Sequence, residues 1–296
     1  MIDALVAVAV PVTNFALLLA VGMDLTREDF ARVGRNKALV IAGLAAPCLL
    51  LPPLAIALIR VTEPSPAIAG GLLLVAAGPI GGISNAYSYL ARASTALSVT
   101  LTGLSCLLAS VTIPLIGAGM EAVFDQAMGF VAPIPLLVSQ LTLMLLLPVA
   151  LGMTARAWAP ALAARHRPSL QRFAFVAIGL VLSLVLARDL PTFAVSLPTM
   201  LPLAGLFVLG SIALGWATAM PFSRDPRDRF TMAAEFGTRN IAVAITIAVT
   251  LLGRVEFAPF AAVYALIEVP ILLVAVALFR RLQPAAVGTG TDRALA

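Results

Sequence analysis

Residues 66–93, "PAIAGGLLLVAAGPIGGISNAYSYLARA", begin as an apolar run long enough to enter a bilayer and are interrupted halfway by Gly78, Pro79, Gly81 and Gly82. Proline removes an amide donor and clashes with the preceding turn, and glycine weakens helix, so the run reads as a helix that unwinds in its middle. Residues 231–250, "TMAAEFGTRNIAVAITIAVT", repeat the pattern, with Gly237 between Glu235 and Arg239. Broken backbone at membrane depth is tolerated only where it is buried in protein or lines a cavity. The two places correspond in detail. "GGISNAYSYLA" and "FGTRNIAVAIT" each set a glycine and then an asparagine, Asn85 or Asn240, ahead of an apolar half-helix. Each is followed by a short turn and a further apolar helix, "TALSVTLTGLSCLL" or "FAAVYALIEVPILL".

The rest of the chain fits a bilayer. Of 296 residues, 61% are hydrophobic and 11% charged, with a mean hydropathy of +1.06, whereas a soluble domain carries about 25% charged residues. Apolar runs of about 20 residues match helices that cross a hydrocarbon core, and the alternating pattern of a barrel is absent. The expected fold is an all-α integral membrane protein of nine spans, near 2–22, 38–60, 67–91, 95–119, 129–157, 170–188, 198–219, 228–252 and 257–282. "MIDALVAVAVPVTNFALLLAVGM" has no basic stretch ahead of its apolar part and no A-x-A-like site after it, so it reads as a retained first span. The connectors sort by charge: fifteen Lys and Arg fall on one side and three on the other, with Arg239 inside a span. The positive-inside rule then puts the C-terminus in the cytoplasm and the N-terminus outside the cell (inner) membrane, as an odd number of spans requires.

Other functions lack their residues. The basic residues form no dense run, so the formal charge of +5 points to membrane topology and no nucleic-acid partner is expected. Cys48 and Cys106 lie in apolar runs without CxxC spacing, and the single histidine, His166, sits in "ARHRPSL", read as a basic solvated loop. No nucleophile with a neighbouring histidine is present, and Ser84 with Glu235 is the one pair that could be built, so no enzyme is expected.

Segments two to four (38–119) and seven to nine (198–282) read as repeats, and with three spans between them they insert in opposite orientations. Inverted repeats with paired interrupted helices place a substrate site at their crossing, near the midplane. Ser84, Asn85, Ser98 and Thr102 offer neutral oxygens there, Ser98 and Thr102 one helical turn apart, and Glu235 adds a carboxylate. Hard cations take oxygen ligands, and a single carboxylate suits a monovalent ion better than Ca²⁺ or Mg²⁺, so Na⁺ at one site is expected. An intramembrane carboxylate is costly and marks function. Glu268 is a second one, outside the sodium set.

These residues resemble the bile acid:sodium symporter family over almost the whole chain. The resemblance rests on "GMDLTREDF", on "GPIGGISNAYSYLARASTALSVTLT" and on "EFGTRN", which stands where the family typically has E-x-G-x-Q-N. It implies a panel domain (1–22 and 129–188), a core domain (38–119 and 198–282) and a cytoplasmic tail (283–296). Bacterial relatives often have ten spans, and this chain reads as the form without the first. By position, Ser84, Asn85, Ser98, Thr102 and Glu235 match the side-chain ligands of the family's first sodium site. The second site departs: its glutamine is Arg239 here, and another expected in the preceding core helix falls at Pro47. A guanidinium has donors and no acceptor, so it cannot coordinate a cation. Arg239 is therefore expected to replace the second sodium, within i,i+4 reach of Glu235 if the break does not separate them. Two alternatives stay open: Arg239 holds a substrate carboxylate, or Glu268 pairs with it and couples transport to protons. The expected function is sodium-coupled, alternating-access transport of small organic anions, carboxylates or sterol-like acids. Gly82, Asn85 and Asn240 contact the anion, with half-helix N-termini behind them. The family's usual threonine is Gly82 here, which leaves the substrate open. A channel or sensor using the same crossing is the rival class.

Overall fold

The computed structural model describes residues 2–25, 36–124, 139, 141–188 and 190–282. The expected connector at 26–35, the first half of the fifth segment (129–138 and 140) and the tail at 283–296 lie outside the described residues. Among those residues the regular elements are all helical, and the strand-like pairing is a single isolated bridge between Ile80 and Arg239. In chain order, α1 is Ile2–Asp24, α2 Lys37–Thr62, α3 Pro66–Ala77, α4 Ser84–Leu90 and α5 Thr95–Phe124. A π-helical turn, Thr142–Leu146, runs into Leu147–Trp158, and the two form α6. They are followed by α7 Pro160–Arg188, α8 Leu190–Ala219, α9 Pro226–Gly237 and α10 Ile241–Thr246, which continues as a π-helical turn to Leu251. A 3₁₀ turn at Val255–Phe257 leads into α11, Ala258–Leu282.

Among the described residues, four stretches are long and apolar enough to cross a membrane: α2, Thr95–Gly117 within α5, α8, and Val255–Leu282. Val8–Asp24, Pro66–Ala77, Thr142–Trp158 and Ile241–Leu251 are shorter apolar helices. The chain is thus a multi-pass membrane protein. The basic stretch 156–172 is a correction to the expected loop: α6 continues to Trp158, and α7 starts at Pro160 and runs through an exposed His166. Proline at a first helical position lacks only an amide that would have no partner there, so Pro160 starts α7 inside the expected connector.

The helices pack in two groups. Contacts of α1 are most extensive with α6 and α7, and those of α8 with α9, α11 and α2. Gly22 on α1 and Gly152 on α6 permit the close approach in the first group, since an added Cβ would fall 2.2 Å from Val149 O and from Leu19 O respectively. The groups meet where α1 contacts α5 and α10 and where α7 contacts α11.

Both expected breaks are present, and they pair with each other. Pro79 pushes Gly78 out of helical geometry, to φ −59° and ψ 158°, and α3 stops. After α9, Thr238 is extended (φ −116°, ψ 110°) and Asn240 caps α10, its Oδ1 accepting from Val243 N at 3.2 Å. The two extended segments run antiparallel: Gly81 N donates to Thr238 O (3.1 Å) and Asn240 N to Pro79 O (2.8 Å). Ile80 N donates to Ser105 Oγ at 3.1 Å, and Tyr264 OH to Gly237 O at 2.6 Å. Backbone groups freed by the breaks are thereby satisfied inside the protein, as an apolar surround demands.

Glycine is needed where this crossing is tightest. A Cβ on Gly81 would stand 2.7 Å from Arg239 O, whereas one on Gly82 would meet nothing closer than Val21 Cγ2 at 3.6 Å. Gly81→Ala is expected to destabilise the fold by about 1–3 kcal/mol, as overpacking does. Gly82→Ala should leave the melting temperature in detergent unchanged. Equal melting temperatures for the two variants would contradict the close approach at the crossing.

Candidate functional site

The crossing sets four helix ends around one buried cluster. Glu235 lies in the last turn of α9, Ser84 and Asn85 in the first turn of α4, and Ser98 and Thr102 on α5, which packs against both. Glu235, Ser84 and Ser98 have no exposed surface, and Thr102 retains 1%. Ser98 Oγ contacts Glu235 Oε1, and Thr102 Oγ1 lies 3.1 Å from Glu235 Oε2. Ser98 Oγ is 2.8 Å and Thr102 Oγ1 3.4 Å from Asn85 Oδ1, and Ser84 Oγ is 3.2 Å from Thr102 Oγ1. All five residues of the expected ion set come together.

The proton count of this cluster says what it can do. Five oxygen–oxygen contacts link its members, but three hydroxyl groups supply only three hydrogens while the carboxylate is ionised. Among these contacts, which Asn85 enters through its amide oxygen, acceptors exceed hydrogens, and all members but the half-buried Asn85 are closed to solvent. A buried carboxylate without a compensating charge costs several kcal/mol. Oxygen donors of this kind, with one negative charge, fit a monovalent hard cation.

Arg239 does not join that cluster. The end of α9 at Gly237 separates it from Glu235, and among the described residues neither Glu235 nor Glu268 forms an ion pair with it. Its Nη2 donates to Gly78 O of the other break, while Nε and Nη1 have no partner. Arg239 is 5% exposed and borders a narrow cleft lined also by Gly43, Pro47 and Cys48 of α2 and by Ser105 and Thr112 of α5. Pro47, the position of the missing glutamine, thus lies beside Arg239.

The expected option that Glu268 pairs with Arg239 is corrected by the backbone. Successive residues of an extended strand point to opposite sides. Thr238 turns toward α11 and donates to Glu268 Oε1 at 3.0 Å, and Arg239 turns the other way, toward α2 and α5.

Of the residues expected to contact a substrate, Asn85 is shared with the ion cluster through Oδ1. Gly82 faces Val21 of α1, and Asn240 keeps an unpartnered, buried Nδ2. Three contributors were not anticipated. Ser105 anchors Ile80 N and is foreshadowed only as a further hydroxyl three residues beyond Thr102. Tyr264 fixes the carbonyl at the end of α9. Asn14 on α1 is 1% exposed with an unpartnered Oδ1, and its signal was a polar pair, Thr13 and Asn14, inside an apolar span.

Comparison with known proteins places the chain among sodium-coupled transporters. The family described as the sodium bile acid symporter family matches residues 11–194. A rice protein (Oryza sativa subsp. japonica) named as a probable chloroplastic sodium/metabolite cotransporter is 39% identical over 100 residues, 34% of this chain and 24% of its own. A Bacillus subtilis (strain 168) protein named as an uncharacterized sodium-dependent transporter is 36% identical over 100 residues, 34% of this chain and 31% of its own. An Arabidopsis thaliana protein, also named as a probable chloroplastic sodium/metabolite cotransporter, is 24% identical over 239 residues, 80% of this chain and 58% of its own. The matched segments therefore span from about a quarter to under two thirds of these relatives. The family and all three relatives are described as transporters, not enzymes.

Proposed function

The chain belongs to the sodium bile acid symporter family, and from that premise we propose that it is a secondary transporter that couples one Na⁺ to a small organic anion. The coupling ion is held by Ser84, Asn85, Ser98, Thr102 and Glu235. The observation that carries this reading is the excess of oxygen acceptors over hydrogens in the contacts around the buried Glu235. A cation there offsets the charge of Glu235 and draws α4, α5 and α9 together. Because the same helices adjoin the crossing, the ion and the anion each favour the closed arrangement, and coupling between two such ligands is reciprocal.

Arg239 stands in for a second sodium. Its bond to Gly78 O supports this, because a backbone carbonyl at a helix break is the type of ligand a second cation would take. The guanidinium keeps a positive charge at the crossing throughout the cycle, and the ion it replaces need not be bound. The anion rests against Gly82, Asn85 and Asn240. Alternating access then moves the group of α2–α5 and α8–α11, the core, against α1, α6 and α7, the panel. Nine spans in the cell (inner) membrane, with the N-terminus outside and the C-terminus in the cytoplasm, complete the reading.

Uptake into proteoliposomes tests it. A panel of small carboxylates and sterol-like acids is offered under an inward gradient of Na⁺ or of K⁺, and saturable accumulation of at least one compound under Na⁺ alone is the expected result. Flux that neither saturates nor responds to the gradient would assign the crossing to a channel or sensor. A second reading rests on Glu268, a carboxylate 3% exposed whose Oε1 accepts from Thr238. Uptake driven in K⁺ by a proton gradient, and lost in Glu268→Gln, would transfer the coupling to that residue.

A further inference from the structure

One face of α1 runs along the whole crossing. Leu25, just past its end, packs at Gly103 of α5, where an added Cβ would fall 2.1 Å from Leu25 Cδ2. Val21 lies 3.6 Å from the position of a Cβ on Gly82, at the start of α4. Val10 and Thr13 line a small crevice with Ala242 and Ile245 of α10 and Ile178 of α7. Residues 10, 14 and 21 follow the spacing of four and seven that keeps side chains on one helical stripe. Asn14 therefore faces the crossing between its two halves, about 6 Å along the axis from Val10 and about 10 Å from Val21.

Asn14 and Thr13 are the buried polar residues of that face, and Asn14 is unsatisfied. Its Oδ1 is buried without a partner, and on the other side of the interface Asn240 Nδ2 is buried without one too. Native proteins leave few buried polar groups unpaired, and each one is destabilising. Here one orphan is an acceptor carried by α1 and the other a donor carried by the residue that caps α10. Together they offer what a carboxylate with a second, hydrogen-donating group would need: a donor for its anionic oxygens and an acceptor for its O–H or N–H.

We propose that Asn14 is a specificity-determining residue of the transport site, accepting a hydrogen bond from a donor group of the bound anion while Asn240 donates to its carboxylate. The inference rests on the transport reading above. Because Asn14 sits on α1 and Asn240 in the other packing group, an anion held by both bridges the two bodies whose relative movement gives access.

The test compares the protein with Asn14→Leu in detergent with Na⁺, using straight-chain carboxylates of three to six carbons, each paired with its hydroxylated counterpart, read by ligand-induced shift of the melting temperature. For at least one pair the unmodified protein is expected to bind the hydroxylated member about tenfold more tightly, as one well-made hydrogen bond allows. In Asn14→Leu that ratio should fall to within about twofold of unity. The ligand-free melting temperature of the variant should hold or rise, because an apolar group of similar size relieves an unpaired amide. A ratio that survives in Asn14→Leu, or a pair-blind unmodified protein, overturns the inference while leaving sodium-coupled transport standing. A lowered ligand-free melting temperature with the ratio intact would make Asn14 a packing residue. Binding of no carboxylate at all in Na⁺ would remove the transport reading, and this inference with it.

Discussion

Glu235→Gln is expected to fold and to lose sodium-dependent binding of the anion. The substitution keeps the size and one oxygen of the side chain but removes the single negative charge of the cluster and adds two hydrogens to it. Ser98 and Thr102 can still donate to the amide oxygen, so the helices α5 and α9 remain joined. What disappears is the excess of acceptors that calls for a cation. An interaction with a charged group is worth about 1.5–3 kcal/mol, so apparent sodium affinity should drop by roughly 10- to 150-fold. Ligand-induced thermal shift in Na⁺ against K⁺ checks this. A variant whose response to Na⁺ equals that of the unmodified protein would show that the ion is held elsewhere.

For Arg239→Gln the expected loss is of anion affinity. A unit charge about 10 Å away contributes about 1–2 kcal/mol at an effective dielectric constant near 20, so affinity should fall about tenfold. Gly78 O would also lose its guanidinium partner and become available to a cation. With Pro47 also changed to Gln, both amides that the family resemblance associates with a second ion would border one cleft, since Pro47 and Arg239 already line it together. The dependence of uptake on sodium concentration should then steepen, from a Hill coefficient of about 1 toward about 2. Unchanged anion affinity in Arg239→Gln, with unchanged steepness in the double variant, would remove the role of Arg239 as a resident cation.

The breaks were legible because their causes are local. Gly78–Pro79 and Gly237 end helices by their own backbone chemistry, and the polar residues around them have no other use in lipid. Five oxygen-bearing residues could be grouped because Ser84 and Asn85 adjoin one break, Glu235 adjoins the other, and Ser98 and Thr102 share a helical face. What the linear chain does not display is the pairing of Gly81 with Thr238 and of Asn240 with Pro79, which joins segments about 160 residues apart. That pairing sets the strand phase. It sends Thr238 to Glu268 and Arg239 toward Pro47, and so separates charges that look adjacent in "EFGTRN". Asn14 escaped notice because its partners come from the other packing group. The loop expected around His166 failed because Pro160 is compatible with a first helical turn, so the basic stretch extends α7.

The number of sodium ions carried with each anion is the most direct measurement, obtained in proteoliposomes from the sodium gradient at which net anion flux reverses, at fixed membrane potential. One Na⁺ per anion is the expected value, with Glu235 and its hydroxyl neighbours holding the ion and Arg239 fixed beside them. Two would contradict the replacement of a sodium by Arg239, and none would contradict the ion site itself.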